Sequence, residues 1–268
     1  MKTIVAGTDF TPSSVNACRY GALLAQKLNC KLVIFNLYKT PVYHSNSGLI
    51  GITSPILKRG SKEGIEQVIT GLLKDFPGLK ISVLSSPGTL KGEMQNFISK
   101  YQVAAIVMGL EAKDKISKFI YGSRGVNIGG KLKAPVIIVP GKYTNHRLET
   151  LILAVDNRGK LDSSSLSEIS KFVKGTQLDL KVLHVRTPEE AISPAHAISL
   201  KIGPTRKEIE VRKAATIEKG IKIYGVENKM DLIAIISKRH SIFYNLFNES
   251  ATKRVTFASG VPVMAIHE

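Results

Sequence analysis

The chain has 268 residues, 43% of them apolar, enough for one large domain or two ordinary ones with a normal core. No apolar run approaches the roughly 18 residues that span a bilayer, and nothing in the composition is collagenous, disordered or low in complexity. The formal charge of +17 favours polyanions as neighbours, but the lysines are scattered through helical patterns, which points to a solvated face and away from nucleic acid.

The opening, "MKTIVAGTDF", goes straight into a strand pattern, and Asp9 interrupts it too early for a secretory leader. A soluble cytoplasmic protein with no membrane partner is expected. "TIVAGT" (3–8) is short, apolar and β-rich. "TPSS" (11–14) then starts a helix, with Thr11 as N-cap and Pro12 at the first helical position. Val15, Cys18, Ala22 and Ala25 keep helical spacing. Cys18 and Cys30 share no metal-ligand spacing and read as reduced, buried thiols. "KLVIFNL" (31–37) is a second strand, apolar along its length as in a parallel sheet covered on both faces. A loop with Pro41, Gly48, Gly51 and Pro55 follows. Then come a helix over about 58–75, a strand over 79–85, a helix over about 89–101 and a strand over 103–108. A helix over 122–132 and a strand over 135–139 complete the run. This alternation of strand and helix predicts a doubly wound parallel sheet.

The pattern then restarts. "TIVAGTD" (3–9) lines up with "TLILAVD" (150–156) at an offset of 147, which lays Asp9 on Asp156. "LVIFNLY" (32–38) matches "LKVLHVR" (180–186) at 148. "AAIVMG" (104–109) falls on "DLIAII" (231–236) at 127, and the same offset lays Pro135 on Pro262. Two copies of one α/β unit are expected, residues 1–145 and 146–268, joined by the polar connector "GKYTNHRLE" (141–149). The second copy is about 20 residues shorter between its second and fourth strands. The first half holds 19 Lys and Arg against 7 Asp and Glu, the second 19 against 14.

"KTIVAGTDFTPSSVNACRYGALLAQKLNCKLVIFNLY", "VAAIVMG", "GSRG" and "APVIIVP" in the first half, with "DLIAIISKRHSIFYNLFNESATKRV" and "GVPVMAIHE" in the second, resemble the universal stress protein family in its tandem form. That resemblance implies two tandem five-stranded parallel α/β domains of strand order 3-2-1-4-5, the adenine nucleotide alpha hydrolase-like fold. Single-domain members usually pair through their last strands. The resemblance therefore implies that "PVIIV" (135–139) and "PVMAI" (262–266) pair inside this one chain as a pseudo-dimer. It leaves open a further homodimer and does not identify a protein partner.

The family's nucleotide-binding branch carries G-x2-G-x9-G-S/T after the fourth strand. Here that pattern gives Gly109, Ala112 in place of the middle glycine, and Gly122-Ser123. A phosphate needs backbone N–H groups aimed at it and a helix N-terminus behind it, and Gly122 and Ser123 stand where the fourth helix should begin. An ordinary turn and helix cap is the alternative reading of those two residues. Gly109 leaves the sheet beside the first strand, where strand order reverses and ligands of open α/β sheets bind. If the loop requires positive φ at Ala112, alanine costs roughly 1–2 kcal/mol there. Asp9 ends the first strand, where the family places an aspartate near adenine and ribose. A carboxylate before a helix start can equally satisfy that helix's amides with no ligand. Leu37 is placed to pack on an adenine ring or simply in the core. The cofactor implied is ATP or a related adenine nucleotide, with magnesium when bound.

In the second half the offset of 127 turns Gly109 into Ile236, Ala112 into Arg239 and Gly122 into Glu249, with only Ser123 kept as Ser250. An isoleucine obstructs backbone approach, and a glutamate at a helix start repels phosphate. No family-type nucleotide site is expected there. "SKRH" (237–240) is a basic loop, either solvated or receiving some other anion. The six histidines share no metal-ligand spacing, and His184, at the end of a strand, reads as a sheet-edge packing residue. No G-x-S-x-G, C-x-x-C or G-x4-G-K-S/T occurs. Three readings follow: a non-catalytic stress-response module with one adenine-nucleotide site, a binding or scaffold protein with none, and a slow nucleotide hydrolase.

Overall fold

A computed structural model of the chain describes residues 2–38, 54–87, 90–110, 134–145, 147–155, 161–188, 199–237 and 259–267. The chain divides into two compact units, residues 1–109 and 110–268. In the first, β1 (Thr3–Gly7), β2 (Lys31–Tyr38), β3 (Ile81–Pro87) and β4 (Val103–Leu110, whose last residue falls in the second unit) alternate with three helices. These are α1 (Pro12–Lys27), α2 (Ser54–Asp75) and α3 (Leu90–Lys100). The strands are all parallel, in the order β3-β2-β1-β4. Ile4, Val5, Ala6, Leu32 and Ile34 are buried, as expected for strands covered on both faces.

The helix start follows the sequence. Thr11 holds extended φ/ψ, its hydroxyl accepts from the Ser14 amide, and Pro12 takes the first helical position. Gly21 faces Ala6, Leu32 and Ile4, so that α1 lies close on the sheet. Cys18 is buried beneath it, and desolvation raises its thiol to about 12. That is an inert packing residue, not a reactive one.

In the second unit β6 (Thr150–Ala154), β7 (Asp179–Arg186), β9 (Thr205–Lys213), β10 (Leu232–Ser237) and β11 (Val263–His267) are parallel in the order β9-β7-β6-β10-β11. In chain order within the unit this is 3-2-1-4-5. Helices α4 (Ser163–Thr176) and α5 (Ile217–Glu227) make two of its crossovers. Ile152, Leu183, Val185, Ile221, Tyr224, Ile233 and Val263 form the core under α5. Two antiparallel strands flank the parallel five. One is β8 (Ser199–Ile202), which forms a hairpin with β9. The other is β5 (Val136–Pro140), which pairs with β11. The expected pairing of "PVIIV" with "PVMAI" is therefore present.

The hairpin is an addition to the five parallel strands that were expected. In the first unit the chain passes from β2 to β3 through α2. In the second, β8 precedes β9, and the turn at Gly203 lies against Ser170 of α4. The connector is not slack either. Asp231, 2% exposed, accepts from the amides of Glu149 and Thr150 at 2.9 and 3.0 Å and from Asn145 Nδ2 at 3.4 Å. Tyr143 and Leu148 of the connector are buried.

The strand registers repeat at the sequence offsets. Ile4 pairs with Leu32 and Ala105; Leu151 pairs with Leu180 and Leu232. Each of the three residues of the second set follows from the first by 147, 148 and 127.

Candidate functional site

The carboxyl ends of β1 and β2 in the first unit carry a chain of polar side chains. Thr8, next after β1, donates its amide to Phe35 O at 2.8 Å, and its hydroxyl oxygen accepts from Phe10 N at 3.0 Å. Thr8 Oγ1 also meets Ser14 Oγ at 3.1 Å, and Ser14 Oγ accepts from Asp9 N at 3.2 Å. Asp9 itself is exposed. Its Oδ1 accepts from Thr11 N at 3.1 Å and Thr11 Oγ1 at 2.6 Å. Partial burial pushes this carboxyl up, but the bonds from Thr11 and Ser14 outweigh it and hold the group below the ordinary aspartate range. Asp9 thus engages the start of α1 and still presents an ionised carboxylate to solvent.

Asn36, 3% exposed near the end of β2, extends the chain inward. Its Nδ2 donates to Thr8 O at 2.7 Å, and its Oδ1 accepts from Ser61 Oγ of α2 at 2.6 Å; Ser61 also meets Ser85 Oγ of β3 at 2.8 Å. Leu37, next in β2, is half-buried. Phe10 holds φ of +69°, an uncommon conformation for a bulky residue, and its ring lies on α2 where Gly64 leaves room for it.

Gly109 closes the corner from the other side. A Cβ there would stand 2.3 Å from Ser13 O and 2.8 Å from Ser14 N. The backbone that approaches Gly109 closely is therefore the first turn of α1. The structure brings Asp9 and Gly109 to the same helix start, with Leu37 at the end of the neighbouring strand. Ala112, Gly122 and Ser123 lie outside the described residues, as do the helix expected over 122–132, Asp156, Arg239, Glu249 and Ser250.

Thr8, Ser14, Asn36 and Ser61 were not singled out in the sequence. Asn36 did leave a signal, as the one amide within the apolar run "LVIFNLY". The hydroxyls of "TPSS" were read only as a helix start.

The second unit repeats the geometry with other chemistry. Val155 replaces Thr8, and its amide donates to Leu183 O at 2.9 Å, as Thr8 does to Phe35 O. His184 replaces Asn36, and its Nδ1 donates to Val155 O at 3.1 Å, the bond Asn36 makes to Thr8 O. His184 is fully buried in β7, between β6 and β9, not at a lateral edge of the sheet. Val185, in the place of Leu37, is 5% exposed and lies under Gly220 of α5. Ile236, in the place of Gly109, is 2% exposed.

A parallel sheet of order 3-2-1-4-5 with helical crossovers defines a Rossmann-like α/β protein. The model of the universal stress protein family matches residues 1–140, and the chain belongs to that family. A universal stress protein structure from Archaeoglobus fulgidus DSM 4304 covers 99% of this chain and 96% of its own, with 18% identity and a TM-score of 0.65. A functionally unknown protein from Pseudomonas aeruginosa PAO1 covers 100% of this chain and 92% of its own, at 12% identity and a TM-score of 0.54. At these identities the likeness concerns the fold. A universal stress protein in complex with cAMP covers 52% of this chain and 96% of its own, at 20% identity and a TM-score of 0.39. No curated protein matches the chain by sequence.

Proposed function

We propose that this is a tandem universal stress protein, a cytoplasmic, non-catalytic binding and regulatory module with one adenine-nucleotide site, in its first half. Asp9 and Leu37 meet the nucleoside in this reading, and Gly122 and Ser123 the phosphates, with Ala112 on the loop between and magnesium accompanying the phosphates. The domains of the tandem are residues 1–145 and 146–268.

The observation that carries the reading is the contrast between paired positions. Thr8, Asn36 and Gly109 make a polar corner with a bare backbone; Val155, His184 and Ile236 make a bulkier, more apolar one. A nucleotide needs hydrogen-bonding groups at a strand's carboxyl end, and among the described residues the first corner carries Thr8, Asp9 and Asn36 there, where the second carries Val155 and His184.

The test is thermal unfolding with ATP and magnesium. Wild type should gain about 2.7 kcal/mol at 100 times Kd, and Asp9→Ala should lose most of that gain, while Ile236→Ala should not change it. Phosphate release above that of the Asp9→Ala control would move the reading to a slow hydrolase.

A scaffold with no nucleotide is the second reading. It is favoured by the engagement of Asp9 with Thr11 and by the packing of Gly109 on Ser13, both complete without a ligand. Absence of any shift, with no nucleotide released on denaturation, would establish it.

A further inference from the structure

The first glycine of the motif stands against protein backbone. A Cβ on Gly109 would meet Ser13 O at 2.3 Å, Ser13 C at 2.6 Å and Ser14 N at 2.8 Å. Real Cβ contacts essentially never fall below 3.0 Å. These neighbours are main-chain atoms of a helix, which cannot swing aside as a side-chain tip can. Any other residue at 109 must push the first turn of α1 away from β4.

That turn is coupled to Asp9 by short bonds. Ser14 Oγ accepts from Asp9 N and meets Thr8 Oγ1, and it donates to Thr11 O at 3.0 Å. Thr11 Oγ1 donates to Asp9 Oδ1 and approaches Ser13 Oγ at 3.2 Å. Displacing Ser13 and Ser14 therefore displaces the groups that aim the carboxylate.

The second unit shows a helix start without the glycine. The offset of 147 carries Thr11 to Arg158, yet the N-cap of α4 is Asp162, which accepts from the Ser164 and Ser165 amides. The helix begins four residues late, about one turn. The two positions that match Ser13 and Ser14 are Lys160 and Leu161, and both precede α4. Ile236 thus carries a four-carbon side chain on the strand that corresponds to β4, and α4 begins after the position that matches Ser14.

We propose that Gly109 is a positioning residue: it acts on the nucleotide corner by seating the first turn of α1, and with it Asp9, rather than by contacting ligand. At the matching position Ile236 carries a side chain where Gly109 has none, and α4 starts later than α1 does, as expected if the small residue is what lets the helix turn seat. The proposal rests on the nucleotide reading for its effect on affinity, but not for its effect on the helix.

The experiment is hydrogen exchange and ATP-magnesium binding on the full chain, for Gly109→Ala, Ser14→Ala, Asp9→Asn and the double variant Gly109→Ala with Asp9→Asn. In nucleotide-free Gly109→Ala, amides of residues 13–16 should exchange at least about tenfold faster while those of β1 and β2 keep their protection. ATP affinity should fall about tenfold. The double variant should bind no more than about twofold weaker than the weaker single variant, because both act through one group. Ser14→Ala leaves position 109 untouched, which keeps the test open if Gly109→Ala fails to fold. It should weaken binding in the same direction and quicken exchange at residues 9–11. Unchanged nucleotide-free exchange together with additive losses of affinity would mean that Gly109 meets the nucleotide itself, and would overturn the proposal. So would wild-type binding in Ser14→Ala. If wild type binds no adenine nucleotide, the functional reading fails instead, and exchange at residues 13–16 alone decides the positioning role.

Discussion

Asn36 and His184 occupy matching places and make the same bond, a side-chain N–H to the carbonyl oxygen of the residue following β1 in one unit and β6 in the other. Different side chains serve one backbone need, since a buried carbonyl without a donor costs about 1–3 kcal/mol. Asn36→Ala should therefore destabilise the protein by about 2–3 kcal/mol, leaving Thr8 O without the Asn36 donor and Ser61 with Ser85 alone; urea unfolding measures it. Asn36→His should recover part of that loss only if α2 can accommodate the larger ring. Asp9 offers a second test at this scale. Its folded-state pKa lies below that of the unfolded chain, so its contribution to stability is present above the unfolded value of about 3.9. The contribution disappears as pH falls through the folded value. The stability difference between wild type and Asp9→Asn should be constant near neutrality and shrink below about pH 4, as followed by thermal unfolding across pH. An Asp9→Asn difference that grows on acidification would show that the carboxylate is not held by Thr11 and Ser14.

Among the elements, those with a strong local signal were legible. Thr11-Pro12 marks the start of α1 because the capping hydroxyl and the missing proline N–H both suit a helix start. Thr11→Ala should cost about 1 kcal/mol, with early exchange confined to the first turn of α1. The strands β1, β2, β4 and β10 were readable as unbroken apolar runs, because a strand covered on both faces has no polar side to show. The β8–β9 hairpin was not legible. Among the side chains of β9 only Ile209 is buried, and Arg206, Glu208, Glu210, Arg212 and Lys213 are exposed, so "TRKEIEVRK" shows neither an apolar run nor helical spacing. Its partner β8 has only four residues. The candidate site divides the same way. Asp9 and Gly109 were found from their places at strand ends together with the motif of the family the sequence resembles. That the first turn of α1 packs on Gly109 was hidden, since spacing along one strand says nothing about which backbone approaches it.

At the scale of the whole chain, the pairing of β5 with β11 tests the tandem reading. Met264 lies opposite Ile137, Val263 opposite Ile138 and Ala265 opposite Val136. Under the offset of 127, Met264 is the counterpart of Ile137, Val263 of Val136 and Ala265 of Ile138. The register is thus centred on one position facing its own counterpart, the pattern of an isologous contact made between two copies of the same strand. Val136, Ile137, Ile138 and Val139 are 6% exposed or less, and loss of β11 would leave an apolar strand edge with unpaired amides and carbonyls. A fragment of residues 1–145 should close that edge by pairing β5 with β5 of a second copy, and run as a dimer in light scattering. Ile137→Lys in the fragment would set two like charges directly opposite each other at the centre of the contact, which is destabilising, and should return it to a monomer. In the full chain the same substitution faces Met264 and meets no second lysine. It should lower stability without changing the number of chains in the particle. A 1–145 fragment that folds and stays monomeric would show that β5 does not carry a self-complementary edge, and would remove the main support for a duplicated ancestor that once paired with itself.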